Sequence, residues 1–81
     1  MAPRIPPFIW TEENIEHIAR HQVEPHEVEE VRSNVSSFRK GRYGRYYLIG
    51  QTDAGRWLFV VIEKNGYVAT AREADDRERK L

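Results

Sequence analysis

Between Arg39 and Tyr47 the chain carries four basic residues and three tyrosines. Cationic side chains neutralise phosphates and aromatic rings offer flat faces to unstacked bases, so interleaving the two suits single-stranded RNA. On this reasoning Arg39, Lys40, Arg42, Tyr43 and Tyr47 are candidate RNA-binding residues. The same run also fits a solvated hairpin loop whose tyrosines pack on a sheet. Three arginines stand at the ends of expected strands: Arg45 and Arg56 each open one, and Arg72 ends the last. A guanidinium group stays charged and forks onto phosphate oxygens, so a pair can stabilise a pentacoordinate transition state without metal. Arg56, Arg72 and, as a third, Arg45 are the candidate catalytic residues. Strand direction lets Arg56 and Arg72 approach one phosphate, whereas Arg45 starts at the far end. The alternative is three surface arginines paired with glutamates such as Glu63 or Glu73.

Other chemistries find less to work with. His17 and His21 are spaced i, i+4, but no glutamate follows His17 as the zinc-protease pattern requires, and only His26 offers a third nitrogen. No metal site and no cofactor is expected. Cysteine is absent, which removes disulfides and thiolate chemistry and suits a reducing compartment. There is no glycine-rich phosphate loop and no serine-centred nucleophile elbow.

The 13 basic and 13 acidic residues cancel, which taken alone argues against a nucleic-acid partner. Their distribution argues otherwise. Seven glutamates and one arginine lie between Glu12 and Glu30; six basic residues and one acid lie between Arg32 and Arg56. An acidic helical half is followed by a basic strand half. Met1 to Pro7 lacks the apolar stretch of a signal peptide, and no apolar run approaches the ~20 residues of a membrane span. A cytoplasmic protein without membrane contact is expected.

With 81 residues, one domain over residues 1–81 is expected, small enough that partners matter, and homo-oligomerisation is left open. Phe8-Ile9-Trp10 reads as a short strand or extended anchor. Thr11 is a good N-cap, with Glu12 and Glu13 in the dipole-favoured first turn, and Ile15, Ile18 and Ala19 form the buried stripe of a helix over 12–21. Pro25 opens a second helix over 25–33, with Glu24 and Glu27 at capping-box spacing and Val28 and Val31 inward. His17 and His21 fall away from the first stripe, toward solvent or a partner. After Asn34 the period becomes strand-like: 35–39, 45–52, 56–64 and 67–72. Asp53-Ala54-Gly55 suits a three-residue hairpin loop, and Asn65-Gly66 a two-residue turn pairing Lys64 with Tyr67. Residues 73–80 form a short charged helix or a frayed tail. The class is α+β: two N-terminal helices packed on an antiparallel meander, with a short C-terminal helix. Every residue from Trp57 to Ile62 is apolar, so both faces of that strand need cover, and helices supply only one.

The order of these residues resembles a family. Phe8, Trp10 and Asn14, then His21 and Val23, then Glu27 and Val31 are similar to the N-terminal half of BrnT-type toxins. Arg45, Gly50, Gly55-Arg56 before an apolar strand, and Thr70-Ala71-Arg72 before a charged segment containing Glu78 resemble the second half. Gln22 stands where the family favours glycine, and Thr70 where it favours serine. The resemblance runs from Phe8 to Leu81 and implies a RelE-like fold, a metal-independent endoribonuclease and a ribbon-helix-helix antitoxin partner of the BrnA kind. It puts the functional arginines on Arg56 and Arg72, with Arg45 third.

For such an enzyme the chemistry is attack of an RNA 2′-hydroxyl on the adjacent phosphate, with arginines bearing the developing charge. Arginine is itself a poor base, and Lys64, Tyr47 and His21 are open alternatives for base or acid. A competing function is a catalytically silent module that binds RNA or an antitoxin-like partner.

Overall fold

The structure is a computed structural model that describes residues 4–81; the first three residues of the Met1–Pro7 segment lie outside the described residues. Helices α1 (Glu12–Ala19) and α2 (Pro25–Ser33) precede four strands, β1 (Val35–Lys40), β2 (Tyr46–Gln51), β3 (Trp57–Ile62) and β4 (Val68–Glu73). The strands form one antiparallel sheet in the order β1-β2-β3-β4, and a short 3-10 turn at Glu78–Lys80 follows. This is the expected α+β arrangement. No helix among the described residues is long and apolar enough to cross a membrane.

Thr11 caps α1: its Oγ1 accepts the Asn14 N–H at 3.2 Å, and Asn14 Oδ1 accepts the Thr11 N–H at 2.8 Å. Asn14 also donates to Ile9 O at 2.9 Å, so its buried amide ties the helix to the extended N-terminal segment. That bond turns the helix. The buried face runs through Asn14 and Ile18, whereas Ile15, expected inside, is 39% exposed and Ala19 is exposed too. The helix ends in two crossed bonds, Val23 N–H to Ile18 O and Gln22 N–H to Ala19 O, with Gln22 at φ 58°. This is the Schellman geometry in which glycine is the usual left-handed residue.

Ile18, Val23, Val28 and Val31 pack against Leu48, Leu58, Val60, Ile62, Val68 and Ala71. One sheet face is thereby buried under the helices. The other is lined by residues of opposite phase: Arg39 and Ser37 on β1, Tyr47 and Ile49 on β2, Trp57, Phe59 and Val61 on β3, and Arg72 on β4. We refer to it as the open face. The all-apolar β3 thus has Leu58, Val60 and Ile62 in the core, while Trp57 and Phe59 stay half-buried on the open side.

The Asn65-Gly66 turn differs from expectation. Glu63, not Lys64, pairs with Tyr67 (N–H to O 2.8 Å), and the Gly66 N–H returns to Glu63 O at 2.9 Å. The loop is therefore Lys64-Asn65-Gly66, with Gly66 at φ 102°, and Asn65 Oδ1 caps the Tyr67 N–H. This form frees the Gly66 carbonyl to accept the Ile9 N–H at 3.0 Å, which brings Ile9 into a parallel bridge with Tyr67. A Cβ on Gly66 would overlap the Pro7 carbonyl oxygen. Gly66→Ala is expected to destabilise the fold by about 2 kcal/mol or more, from steric overlap plus left-handed strain. The midpoint of urea unfolding measures it, and an unchanged midpoint would mean that the N-terminal segment does not dock here.

Candidate functional site

The Arg39–Tyr47 run is divided by the fold. Arg39 and Tyr47 are cross-strand neighbours on the open face. Lys40 lies opposite Tyr46, in phase with the half-buried Phe38 on the helix side. Arg42 and Tyr43 sit in the β1–β2 loop, where Tyr43 is 88% exposed at φ 58°. The Tyr47 ring stands 5.4 Å from Phe59, between centroids, and the Gly41 backbone packs against it.

The three candidate catalytic arginines are also divided, and each is paired with a carboxylate. Arg45 Nε donates to Glu63 Oε2 at 3.0 Å, at the far end of β2. Arg56, in phase with Leu58, reaches the helix side: Nη1 donates to Gln22 O (2.7 Å) and to Glu27 Oε1 (3.1 Å), and Nε to Glu73 Oε2 (3.2 Å). Arg72 projects onto the open face, its guanidinium 4.6 Å from the Phe59 centroid. The expected approach of Arg56 and Arg72 to one phosphate is thus corrected. Arg56 lies three positions before Phe59, the cross-strand partner of Arg72, and the two side chains leave opposite faces of the sheet.

Burial pulls the Arg56 pKa down, but hydrogen bonds to Glu73 and Glu27 outweigh it and hold the group above its ordinary value. For Arg72 the hydrogen bond to Glu78 dominates and raises the pKa; the same bond, against burial, holds Glu78 below the usual carboxylate range. Both arginines are permanently charged. Arg72 is the more accessible, with 40% of its side chain exposed.

Sequence reasoning missed several neighbours of Arg72. The chain after β4 turns back so that Glu78 accepts from Nη1 and Nη2 of Arg72 at 2.9 and 2.7 Å. The C-terminal turn packs against β2, Arg79 lies 6.0 Å from the Trp57 ring, and Ile49 is buried. His17 does not point away from the protein as expected: its Nε2 is 3.1 Å from Thr70 Oγ1, and its ring is 5.5 Å from that of His21. The alternation within Trp57–Ile62 could have revealed Phe59 and Trp57 as open-face residues; no periodic signal announces Glu78 or Thr70. Among the described residues no group of three or more His, Asp or Glu side chains is arranged to hold a metal ion.

The open face therefore joins cations (Arg39, Arg72, Arg79) to aromatic rings (Tyr47, Phe59, Trp57) on a strand scaffold. Such a surface can hold phosphates and stack bases together. Compared with protein-family models, curated proteins and solved structures, the chain matches none.

Proposed function

We propose that the protein is the toxin of a type II toxin–antitoxin system, of the BrnT kind within the RelE-like superfamily, that binds single-stranded RNA on its open face and cleaves it without metal. The observation that carries the reading is Arg72, accessible and stacked over Phe59, with Tyr47 against the same ring and Arg39 across from Tyr47. The order of residues resembling BrnT-type toxins supports it, and a ribbon-helix-helix antitoxin of the BrnA kind is the partner it implies. Arg72 would bear the charge that develops on the phosphate as the 2′-hydroxyl attacks. Arg42 and Tyr43, at the exposed loop tip, would touch flanking nucleotides.

A second reading, a module that binds RNA or an antitoxin-like partner without cutting, draws on a specific observation. Arg45, Arg56 and Arg72 are all already paired with carboxylates (Glu63, Glu27 with Glu73, and Glu78), so none of the three presents an unopposed charge. Incubating the purified protein with single-stranded RNA, with and without ribosomes, separates the two. Cleavage is expected and should persist in EDTA. Arg39→Ala should weaken RNA binding modestly and reduce the slope of log K against log salt by about one. Intact RNA in both formats, with binding retained, would favour the module.

A further inference from the structure

The contacts of Arg72 say which of its hydrogens a phosphate can take. A guanidinium has five N–H donors. Nη1 spends its two on Glu78 Oε1 (2.9 Å) and Glu73 O (3.1 Å), and Nη2 spends one on Glu78 Oε2 (2.7 Å). The Nε hydrogen and the second Nη2 hydrogen have no partner among the described residues. These two point to the same side of the planar group, and together they form a fork of the geometry that phosphate oxygens accept. Arg56 has no such edge: its Nε is bound to Glu73, so no Nε–Nη2 fork is left.

Glu78 fixes the direction of that fork. Its two oxygens grip the opposite end of the guanidinium, Phe59 supports the plane from below at 4.6 Å, and the Asp75 carboxylate accepts the Glu78 N–H at 2.7 Å. The Glu78 carboxylate is itself mostly buried, with 16% of its side chain exposed. Held so, Arg72 loses the rotamer freedom that an arginine on a strand end would otherwise have.

We infer that Glu78 is a positioning residue, which locks the free Nε–Nη2 edge of Arg72 toward the open face as the seat of an RNA phosphodiester. This rests on the RNA-cleaving function proposed above. The pair is electrically near neutral, so its contribution is directional hydrogen bonding more than bulk attraction. Losing Glu78 therefore damages the rate more than the affinity: the guanidinium swings, but an opposing negative charge is also removed.

The experiment measures the dissociation constant of a fluorescent single-stranded RNA and its single-turnover cleavage rate in parallel. The proteins are wild type, Glu78→Ala, Glu78→Gln, Arg72→Ala and the Arg72→Ala/Glu78→Ala double variant. Glu78→Ala should lower the rate by about 10- to 100-fold, the scale of a misdirected reacting group, with the dissociation constant little changed. Glu78→Gln keeps one acceptor and should fall between it and wild type. The double variant should be no slower than Arg72→Ala, because both changes remove one unit. Thermal unfolding is followed for each, and Glu78→Gln carries the test if the alanine variant fails to fold. Tighter binding or faster cleavage in the Glu78 variants would make Glu78 a competitor for the phosphate and overturn the inference. So would multiplicative losses in the double variant. If wild type cuts RNA and both Glu78 variants cut equally fast, the inference alone fails; if wild type neither binds nor cuts, the proposed function falls and takes the inference with it.

Discussion

Arg72→Ala is expected to lower the rate of RNA cleavage by about 10²–10³-fold, the usual loss when one donor to a developing anion is removed from a preorganised site. The loss of stability should be confined to the C-terminal turn, where Glu78, 16% exposed, is left without its ion pair, and the sheet should stay folded. Lysine should rescue little. A single ammonium cannot bind the Glu78 carboxylate and present a second fork at once, and it lacks the planar group that lies on Phe59. The assay is single-turnover cleavage of a single-stranded RNA at saturating protein, with circular dichroism to verify the fold. Full activity in Arg72→Ala would remove the open face from the chemistry.

Arg56→Ala should produce the opposite profile, a large loss of stability and only the loss of activity that follows from it. Its guanidinium joins three elements: the left-handed turn at Gln22, Glu27 on α2 and Glu73 at the end of β4. Truncation leaves Glu27, only 18% exposed, without its ion pair, and the Gln22 carbonyl without its donor. Breaking a fully buried pair costs ~3–5 kcal/mol; with 26% of the Arg56 side chain exposed the expected cost is about 2 kcal/mol. For a domain of this size that lowers Tm by on the order of 10 °C. Differential scanning calorimetry and the cleavage assay, run at a temperature where the variant is folded, separate the two roles. A catalytic Arg56 would show an unchanged Tm with cleavage abolished.

These two profiles diverge although the residue types are identical, and the reason lies in strand phase. Arg56, immediately before β3, shares its phase with Leu58, Val60 and Ile62, so the core that claims those three draws Arg56 toward the helices. On β4 simple alternation misleads. Val68 and Ala71 are both in the core, three residues apart, because the register with β3 shifts between Val61 and Ile62. Counting by twos from Val68 would put Arg72 inside. The shift reverses the phase and sends it to the open face.

What the sequence determined by itself was local and short in range. The change of period at Asn34, the Thr11 cap, Pro25 at the start of α2 and the turn residues at Gly55 and Gly66 act over four or five positions. They were enough for two helices followed by an antiparallel meander. The basic–aromatic run was also legible, because composition needs no coordinates. Only the tertiary structure decided which of those side chains meet. The Asn14 bond to Ile9 rotated α1, exposing Ile15 and bringing His17 to Thr70. The docked N-terminal segment selected the three-residue turn at Gly66. The returning C-terminal turn gave Arg72 its carboxylate six residues away, across a break in regular structure. Hydrogen bonds between distant segments and one register shift set these outcomes, and neither leaves a periodic trace in the chain.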